Sequence, residues 1–195
     1  MSALMRYWWV AAILLVALFF LSDANTIPRL DEQVKAQWAQ VENQYQRRSD
    51  LIPNLVTVVK NYAAYEKGTL TEVINARARA TEITLSPEML EDPEAVKKFQ
   101  QAQGELSSSL SRLMAISEKY PDLKADQNFL GLQSQLEGTE NRIAVARRDY
   151  IGAVLQYNVH IRTFPGVIWA MIYKAKPKAE FTSDDVAQKV PEIKF

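Results

Sequence analysis

Apolar side chains that recur every three or four residues are the feature of this sequence that most restricts its fold. From Ser22 to Lys67 there is no glycine, and one such series contains eight apolar or aromatic residues and a single arginine: Val34, Trp38, Val41, Tyr45, Arg48, Ile52, Leu55, Val59 and Tyr62. This spacing places side chains on one face of an α-helix. We therefore expect a long amphipathic helix, kinked at Pro53, where one backbone hydrogen bond is lost.

Three further helices follow from the same spacing. The first carries Leu70, Val73, Ala76, Arg77 and Ala80 near one face, and Thr69 to Glu72 has the spacing of a capping box. The other two have the series Phe99, Ala102, Leu106, Ser109, Leu113, Ile116, Tyr120 and Phe129, Leu132, Leu136, Thr139, Ile143, Ala146, Tyr150, Ala153, Tyr157.

Helix boundaries in this part of the chain are marked by acidic residues and prolines. Asp92, before Pro93, and Asp126 have the character of N-caps, while Pro121 and Pro165-Gly166 end helices. No strand pattern competes with the helices, and the connectors are short. The sequence therefore predicts an all-α fold, an antiparallel (up-down) four-helix bundle over residues 25–166, preceded by one N-terminal transmembrane helix.

The N-terminal block, Tyr7 to Leu21, contains no polar side chain except the amphipathic Tyr7 and the two tryptophans that follow it. A bilayer core of about 30 Å needs about 20 residues, and Ala3 to Met5 lengthen the block across Arg6. We predict an uncleaved membrane anchor over residues 1–24, in contact with lipid through a set of large side chains: Tyr7, Trp8, Trp9, Leu14, Leu15, Phe19 and Phe20. A cleaved signal peptide is the alternative, with Ser22 to Ala24 as a weak cleavage site.

The charges beside the anchor scarcely decide its orientation. Arg6 and the α-amino group flank one end, and Arg29 and Lys35 follow the other. The nearest charges favour a cytoplasmic N-terminus by a small margin, which gives a slight preference for a bundle outside the cytoplasm.

Composition excludes several classes of function. Lys plus Arg and Asp plus Glu both number 23, a balance that argues against nucleic acid as a partner. Cys is absent and His160 is the one histidine, so thiolate and multi-histidine metal sites are excluded within one chain. There is no glycine-rich phosphate loop and no nucleophile elbow. We expect no enzyme activity, no catalytic residues and no cofactor or metal.

Polar residues lie on or beside the apolar faces and form a candidate buried polar or binding cluster: Arg48, Asn54, Arg77, Glu140, Asn141 and Arg142. Since a buried charge needs a partner, the main expectation is structural, with Arg48 or Arg77 paired to Glu140. There are two alternatives. The cluster could form a polar ligand pocket inside the bundle, or the pattern could arise by chance, with the arginine and Glu140 both in contact with solvent.

Residues 167–195 are predicted to form a short apolar patch and a flexible C-terminal tail. The patch, Val167 to Tyr173, is too short to span a bilayer; packing on the bundle, contact with the membrane surface and binding of a partner all remain open. From Ala175 the chain is polar and contains prolines, which predicts poor order. The end, Val190 to Phe195, is expected to be disordered, with strand addition to a receptor as the alternative.

Several motifs resemble the LemA family at consistent spacing. They are QYQRRSDLIPNLV (44–56), VKNYAAYEKGTL (59–70), INARARA (74–80), the stretch from Leu110 to Tyr150, and AVLQYNVHIRTFPG (153–166). The resemblance covers about residues 28–166. It implies a bacterial protein of the cytoplasmic (inner) membrane with one N-terminal transmembrane helix and a helical bundle, without known catalytic residues. It also suggests a shared role, structural or binding, for eight matching residues: Arg47, Arg48, Asp50, Pro53, Asn54, Glu140, Asn141 and Arg142.

These observations together predict a non-enzymatic scaffold or adaptor that contacts membrane lipid through its N-terminal helix and binds a membrane or membrane-associated protein. Formation of a homo-oligomer is left open. Two alternatives remain: a ligand or peptide sensor that uses the polar cluster, and a membrane-remodelling protein that uses the apolar patch.

Overall fold

In the computed structural model, which describes residues 8–181, the chain is helical and has no strand within that range. The helices are α1 (Trp8–Asp23), α2 (Thr26–Tyr62), α3 (Lys67–Glu82), α4 (Pro93–Ser117), α5 (Pro121–Ala125), α6 (Gln127–His160) and α7 (Gly166–Tyr173). A short 3-10 helix, Pro87–Glu91, lies between α3 and α4. Tyr7, one of the predicted anchor residues, and the predicted C-terminal end from Val190 lie outside the described residues.

The four long helices α2, α3, α4 and α6 run alternately up and down. Trp38 packs on Tyr150 and Arg48 pairs with Glu140, so residue numbers rise along α2 as they fall along α6. The same order holds between α3 and α4, where Ala80 accepts a hydrogen bond from Gln103 and Glu72 from Arg112. The predicted all-α up-down bundle is confirmed.

The predicted apolar faces form the interior of this bundle. Every predicted position on α2 is buried except Tyr62, and the whole α6 series from Phe129 to Tyr157 is buried. Asp92 and Asp126 act as the predicted N-caps, since their carboxylates accept backbone N–H groups of Glu94 and Phe129. The capping box at Thr69 is wrong, because α3 begins at Lys67 without a side-chain cap.

The buried apolar side chains form two separate clusters along the bundle axis. The proximal cluster, which is nearer α1, includes Val34, Trp38 and Tyr150, and the distal cluster includes Ile52 and Leu113. Arg48 and Ser49, which are buried and polar, lie in sequence between the α2 members of the two clusters. A polar layer therefore interrupts the core near the middle of the bundle.

A segment that follows α7, residues 175–181, packs on the bundle, and we call it the strap. Phe181 is buried in the proximal cluster, where its ring contacts Trp38 and Tyr150. Lys174, in the left-handed conformation, ends α7. For residues 175–181 this differs from the predicted poor order from Ala175 onward, and the rest of the predicted tail lies outside the described residues. The strap is fixed by the buried side chains of Phe181 and Lys178 and by backbone hydrogen bonds, none of which produces a periodic pattern.

The first helix, α1, stands apart from the core. None of its side chains is buried in the structure, and Trp8, Leu14, Leu15 and Phe19 are all exposed. Taken together with α2, which follows almost at once, α1 is long and apolar enough to cross a membrane by length and composition. Only Ala24 and Asn25 separate the two helices.

Candidate functional site

Arg48 occupies an apolar position on α2, and its side chain is 1% exposed. Its Nη1 atom donates to Oε1 of Glu140 at 2.8 Å and to the hydroxyl of Ser107 at 2.6 Å. Its Nη2 atom donates to the side-chain and backbone oxygens of Gln103 at 2.6 and 3.2 Å. The guanidinium group also lies over the ring of Tyr45, 5.0 Å from the centroid. Its Nε atom is buried without a hydrogen-bond partner.

Gln103 extends this arrangement to the remaining long helix. While its side-chain oxygen accepts from Arg48, its Nε2 atom donates to the carbonyl of Ala80 on α3 at 3.0 Å. Arg48, Gln103, Ser107 and Glu140 therefore link all four long helices, and we call these four residues the Arg48 layer. Because each bond needs its own axial position, the layer fixes the helices in one register.

The two members of the Arg48–Glu140 ion pair differ in their exposure to solvent. Its side chain is 44% exposed, so the carboxylate reaches water while the guanidinium that it neutralises is buried. An ion pair with one solvated member has a smaller desolvation penalty than a fully buried pair. The layer can thus hold a buried cation without an external ligand.

The six residues of the predicted cluster do not form one site. Arg48 and Glu140 meet, as the structural interpretation requires. Arg77 does not pair with Glu140; its Nε atom donates to the carbonyl of Ser49. Arg142 is exposed and bonds to Gln44 and Thr139. The remaining two members of the set, both exposed, lie in separate surface grooves: Asn54 and Asn141.

Sequence reasoning missed Gln103 and Ser107 as partners of Arg48. The one available signal is their position: Gln103 follows Ala102 and Ser107 follows Leu106, and both of these neighbours belong to the apolar face of α4. Polar side chains beside an apolar face are common, and their register against Arg48 is set only by the tertiary packing.

Two open grooves lie beside the layer on the outer surface. One, of about 340 Å³, runs between α2 and α6 and is lined by Gln37, Gln40, Gln44, Asn141, Arg142, Val145, Ala146 and Asp149. We call it the α2–α6 groove. The other, of about 430 Å³, lies between α4 and α6 and includes Glu140. Among residues 8–181, no group of three or more His, Asp or Glu side chains is arranged to hold a metal ion.

A second buried charge belongs to the strap. The ammonium group of Lys178 lies 3.0 Å from Asp31 and 3.1 Å from Glu91. Burial alone would lower the pKa of Lys178, but the hydrogen bonds that its ammonium group donates to Asp31 and Glu91 raise this pKa above its usual value. Asn158 bonds to both the backbone N–H and the carbonyl of Lys178. These bonds connect the strap to α2, to α6 and to the 3-10 helix.

The end of α1 meets α7 at the base of the bundle. The indole N–H of Trp169 donates to the carbonyl of Phe20 at 3.2 Å, and the hydroxyl of Tyr173 donates to that of Ala24 at 3.2 Å. Nε2 of His160 lies 3.4 Å from Oδ2 of Asp23. The lone histidine therefore takes part in packing at the junction between the apolar helix and the bundle.

An apolar N-terminal helix joined to an all-α bundle defines the chain as a membrane-associated helical protein. The LemA family model matches residues 37–195, and the chain belongs to that family. Similar proteins include the magnetosome proteins MamQ 1 and MamQ 2 of Paramagnetospirillum magneticum and MamQ of Magnetospirillum gryphiswaldense. Each is 28% identical to this chain over an alignment of 185 residues, and the alignment covers 87% of this chain and 68% of the relative.

Proposed function

We propose that this protein is a non-enzymatic scaffold, held in a bacterial inner membrane by α1 as a single-pass anchor. The observation that supports this role best is the Arg48 layer. The Nη atoms of Arg48, the most deeply buried charge of the predicted cluster, donate four hydrogen bonds to other groups of the same chain. A polar cluster that is occupied in this way contributes to a rigid body, and partner binding is left to the outer surface.

The α2–α6 groove is the surface that we assign to a protein partner. Its lining combines amides, one cation and one anion with the exposed side chain of Val145. Amide and charged groups around an apolar contact are typical of the polar rim and small core of a protein interface. Asn141 and Arg142, which match the family motif, both lie there.

Site-specific photo-crosslinking in native membranes tests the scaffold role. A photoreactive amino acid at Asn141 is expected to give one or a few discrete adducts, because it lies in the proposed interface. Lys119, which is exposed in the turn after α4 and away from the groove, is the matched control position and should give none. An adduct of twice the chain mass identifies a homo-oligomer. Absence of any discrete adduct at Asn141, in a protein that remains monomeric in nanodiscs, would contradict the scaffold role.

Single-pass anchoring and the side of the bundle are tested separately. The sequence contains no cysteine, so Tyr65→Cys creates a unique thiol at the distal turn between α2 and α3. A membrane-impermeant maleimide applied to spheroplasts should label this thiol if the bundle is extracytoplasmic, the side slightly favoured by the flanking charges. Labelling only after lysis would assign the bundle to the cytoplasm.

A second candidate, sensing of a small polar ligand, is supported by one cleft. This cleft, of about 160 Å³, is lined by Ser49 and Gln103 beside the Arg48 layer. The hydroxyl of Ser49 is buried there without a hydrogen-bond partner. Native mass spectrometry of the full-length protein distinguishes the two roles: a stoichiometric small molecule that is lost in Ser49→Ala would favour the sensor.

A further inference from the structure

Helix α7 presents a row of large apolar side chains to solvent. Ile168, Met171 and Ile172 follow the three-and-four spacing of one helix face, and Met171 and Ile172 are 75% and 61% exposed. Phe164, just before the helix, is 67% exposed. The opposite face of α7 is buried through Gly166 and Ala170. A contiguous apolar patch of this kind marks a surface that contacts something other than water.

The position of α7 identifies what covers the patch. Hydrogen bonds from Trp169 and Tyr173 hold it against Phe20 and Ala24, at the end of α1. The ring of Phe164 packs edge-on against that of Phe20, with centroids 5.7 Å apart. If α1 spans a bilayer whose apolar core is about 30 Å thick, Phe20 lies near the edge of that core. Helix α7 then lies at the level of the lipid headgroups.

The groups beside the patch suit a lipid surface. Trp169 and Tyr173 stack on each other with centroids 6.1 Å apart, and both have the amphipathic rings that favour a membrane interface. Arg162 and Lys174 are exposed on either side of α7, and within residues 8–181 neither forms an ion pair. Exposed cations next to an apolar helix face are attracted to anionic headgroups.

Close packing fixes the orientation of α7 on the bundle. A Cβ atom at Gly166 would lie 2.3 Å from the carbonyl oxygen of His160 and 2.7 Å from its Nε2 atom. The start of α7 therefore rests directly on the end of α6, and the helix cannot turn its apolar face inward without losing this contact.

We propose that α7 is an interfacial helix whose face of Phe164, Ile168, Met171 and Ile172 inserts into the headgroup and acyl-chain boundary beside the anchor. The bundle is then attached to the bilayer at two points, α1 and α7. The inference rests on the proposed anchoring by α1 and is independent of the scaffold role.

Fluorescence quenching in the full-length protein tests this insertion. Ile172→Cys carries an NBD label in vesicles of phosphatidylethanolamine and phosphatidylglycerol. We expect a blue-shifted emission and a loss of intensity when lipids with a shallow doxyl group are included. Tyr65→Cys, whose parent side chain is 95% exposed at the distal turn, is the control and should show neither change. Met171→Cys is the second label position, and circular dichroism verifies that each labelled protein is folded.

The outcomes separate this inference from the anchoring on which it depends. A label at Leu15→Cys should be quenched by deeply placed doxyl groups. If that label is not quenched, the anchor itself is contradicted. If it is quenched but the labels at residues 171 and 172 behave like Tyr65→Cys, the interfacial helix alone is overturned. Labels at residues 171 and 172 that are blue-shifted but unquenched would show that protein covers the face, which also overturns it.

Discussion

Nη1 of Arg48 and Oε1 of Glu140 lie 2.8 Å apart, although 92 residues separate them in the chain. The bond crosses from α2 to α6 at the level where the two apolar clusters are divided. The pair thus marks one axial position in helices that otherwise present continuous apolar faces. Helices with such faces can slide by a turn at little cost, and a single buried polar contact opposes this.

The first prediction concerns the acidic member of this pair. Glu140→Gln should lower the free energy of unfolding by about 1 kcal/mol. The amide oxygen of the glutamine can still accept a hydrogen bond from Arg48, but the negative charge is lost. For a chain of this size that corresponds to a decrease in Tm of about 2–4 °C. Circular dichroism melts in mild detergent provide the measurement. Glu137→Gln, one turn earlier and bonded to Gln133, is the control; an unchanged Tm for Glu140→Gln would contradict a structural role.

The second prediction separates charge from volume at Arg48. Arg48→Ala should cost about 3 kcal/mol or more, since it leaves a cavity and removes the donors for Gln103 and Glu140. Arg48→Met removes the same donors but keeps most of the side-chain volume, so it should be closer to the wild type than Arg48→Ala because it leaves a smaller cavity. Denaturant midpoints of the two variants check the order. If Arg48→Met were no more stable than Arg48→Ala, the loss of the hydrogen bonds would outweigh the loss of packing.

The third prediction tests the strap. Phe181→Ala should destabilise the protein by about 3 kcal/mol, since the ring is buried against Trp38 and Tyr150. Hydrogen exchange of residues 175–181 should increase at the same time. Tyr65→Ala, which removes an exposed ring, should change stability little. Equal effects of the two substitutions would argue that the strap does not contribute to the core.

The fourth prediction concerns acid. Burial would raise the pKa of Asp31, but hydrogen bonds from Lys35 and Lys178 lower it below its usual value. A carboxylate with a lowered folded pKa stabilises the protein above its unfolded pKa, about 3.9, and this contribution is lost as pH falls through the folded value. Asp31→Asn should therefore be less stable than the wild type at neutral pH, and the difference should shrink as the pH falls below about 4.

Urea denaturation over a pH series measures this difference. Asp50→Asn is the control, because Asp50 is exposed on α2 and accepts from Gln46. A gap between Asp31→Asn and the wild type that is constant with pH would indicate lost packing instead of lost charge. The raised pKa of Lys178 has the opposite sign, so its contribution is lost only as pH rises through the folded value.

The fifth prediction concerns the contact between α6 and α7. Gly166→Ala should displace α7, because the added methyl group would overlap the backbone oxygen of His160. Hydrogen exchange in Gly166–Tyr173 should become faster. Gly131→Ala is the control. A Cβ atom at this position meets nothing within 4 Å, and alanine is a better helix former than the glycine it replaces inside α6. That variant should be neutral or more stable by up to about 1 kcal/mol. Unchanged exchange in Gly166→Ala would contradict the tight contact.

The helices could be predicted from the sequence because their signals are local. The spacing from Val34 to Val59 and the caps at Asp92 and Asp126 lie within a few residues of the structure that they specify. The Arg48–Glu140 pair was one of two predicted pairings, since a buried arginine requires an acid. The choice of Arg48 over Arg77, and the roles of Gln103 and Ser107, depend on how four helices meet. The strap gave no signal, because Lys178 and Phe181 are buried by distant partners in a segment without periodicity.

Only Ala24 and Asn25 separate α1 from α2, and α2 continues for 37 residues to Tyr62. At 1.5 Å per residue, α2 spans about 55 Å. With α1 in a bilayer, the distal turn around Tyr65 is held at a height of as much as about 55 Å above the lipid. Under the proposed anchoring, α2 therefore sets the distance between the bilayer and the distal turn, and a change in the tilt of α1 would move that turn through the largest distance.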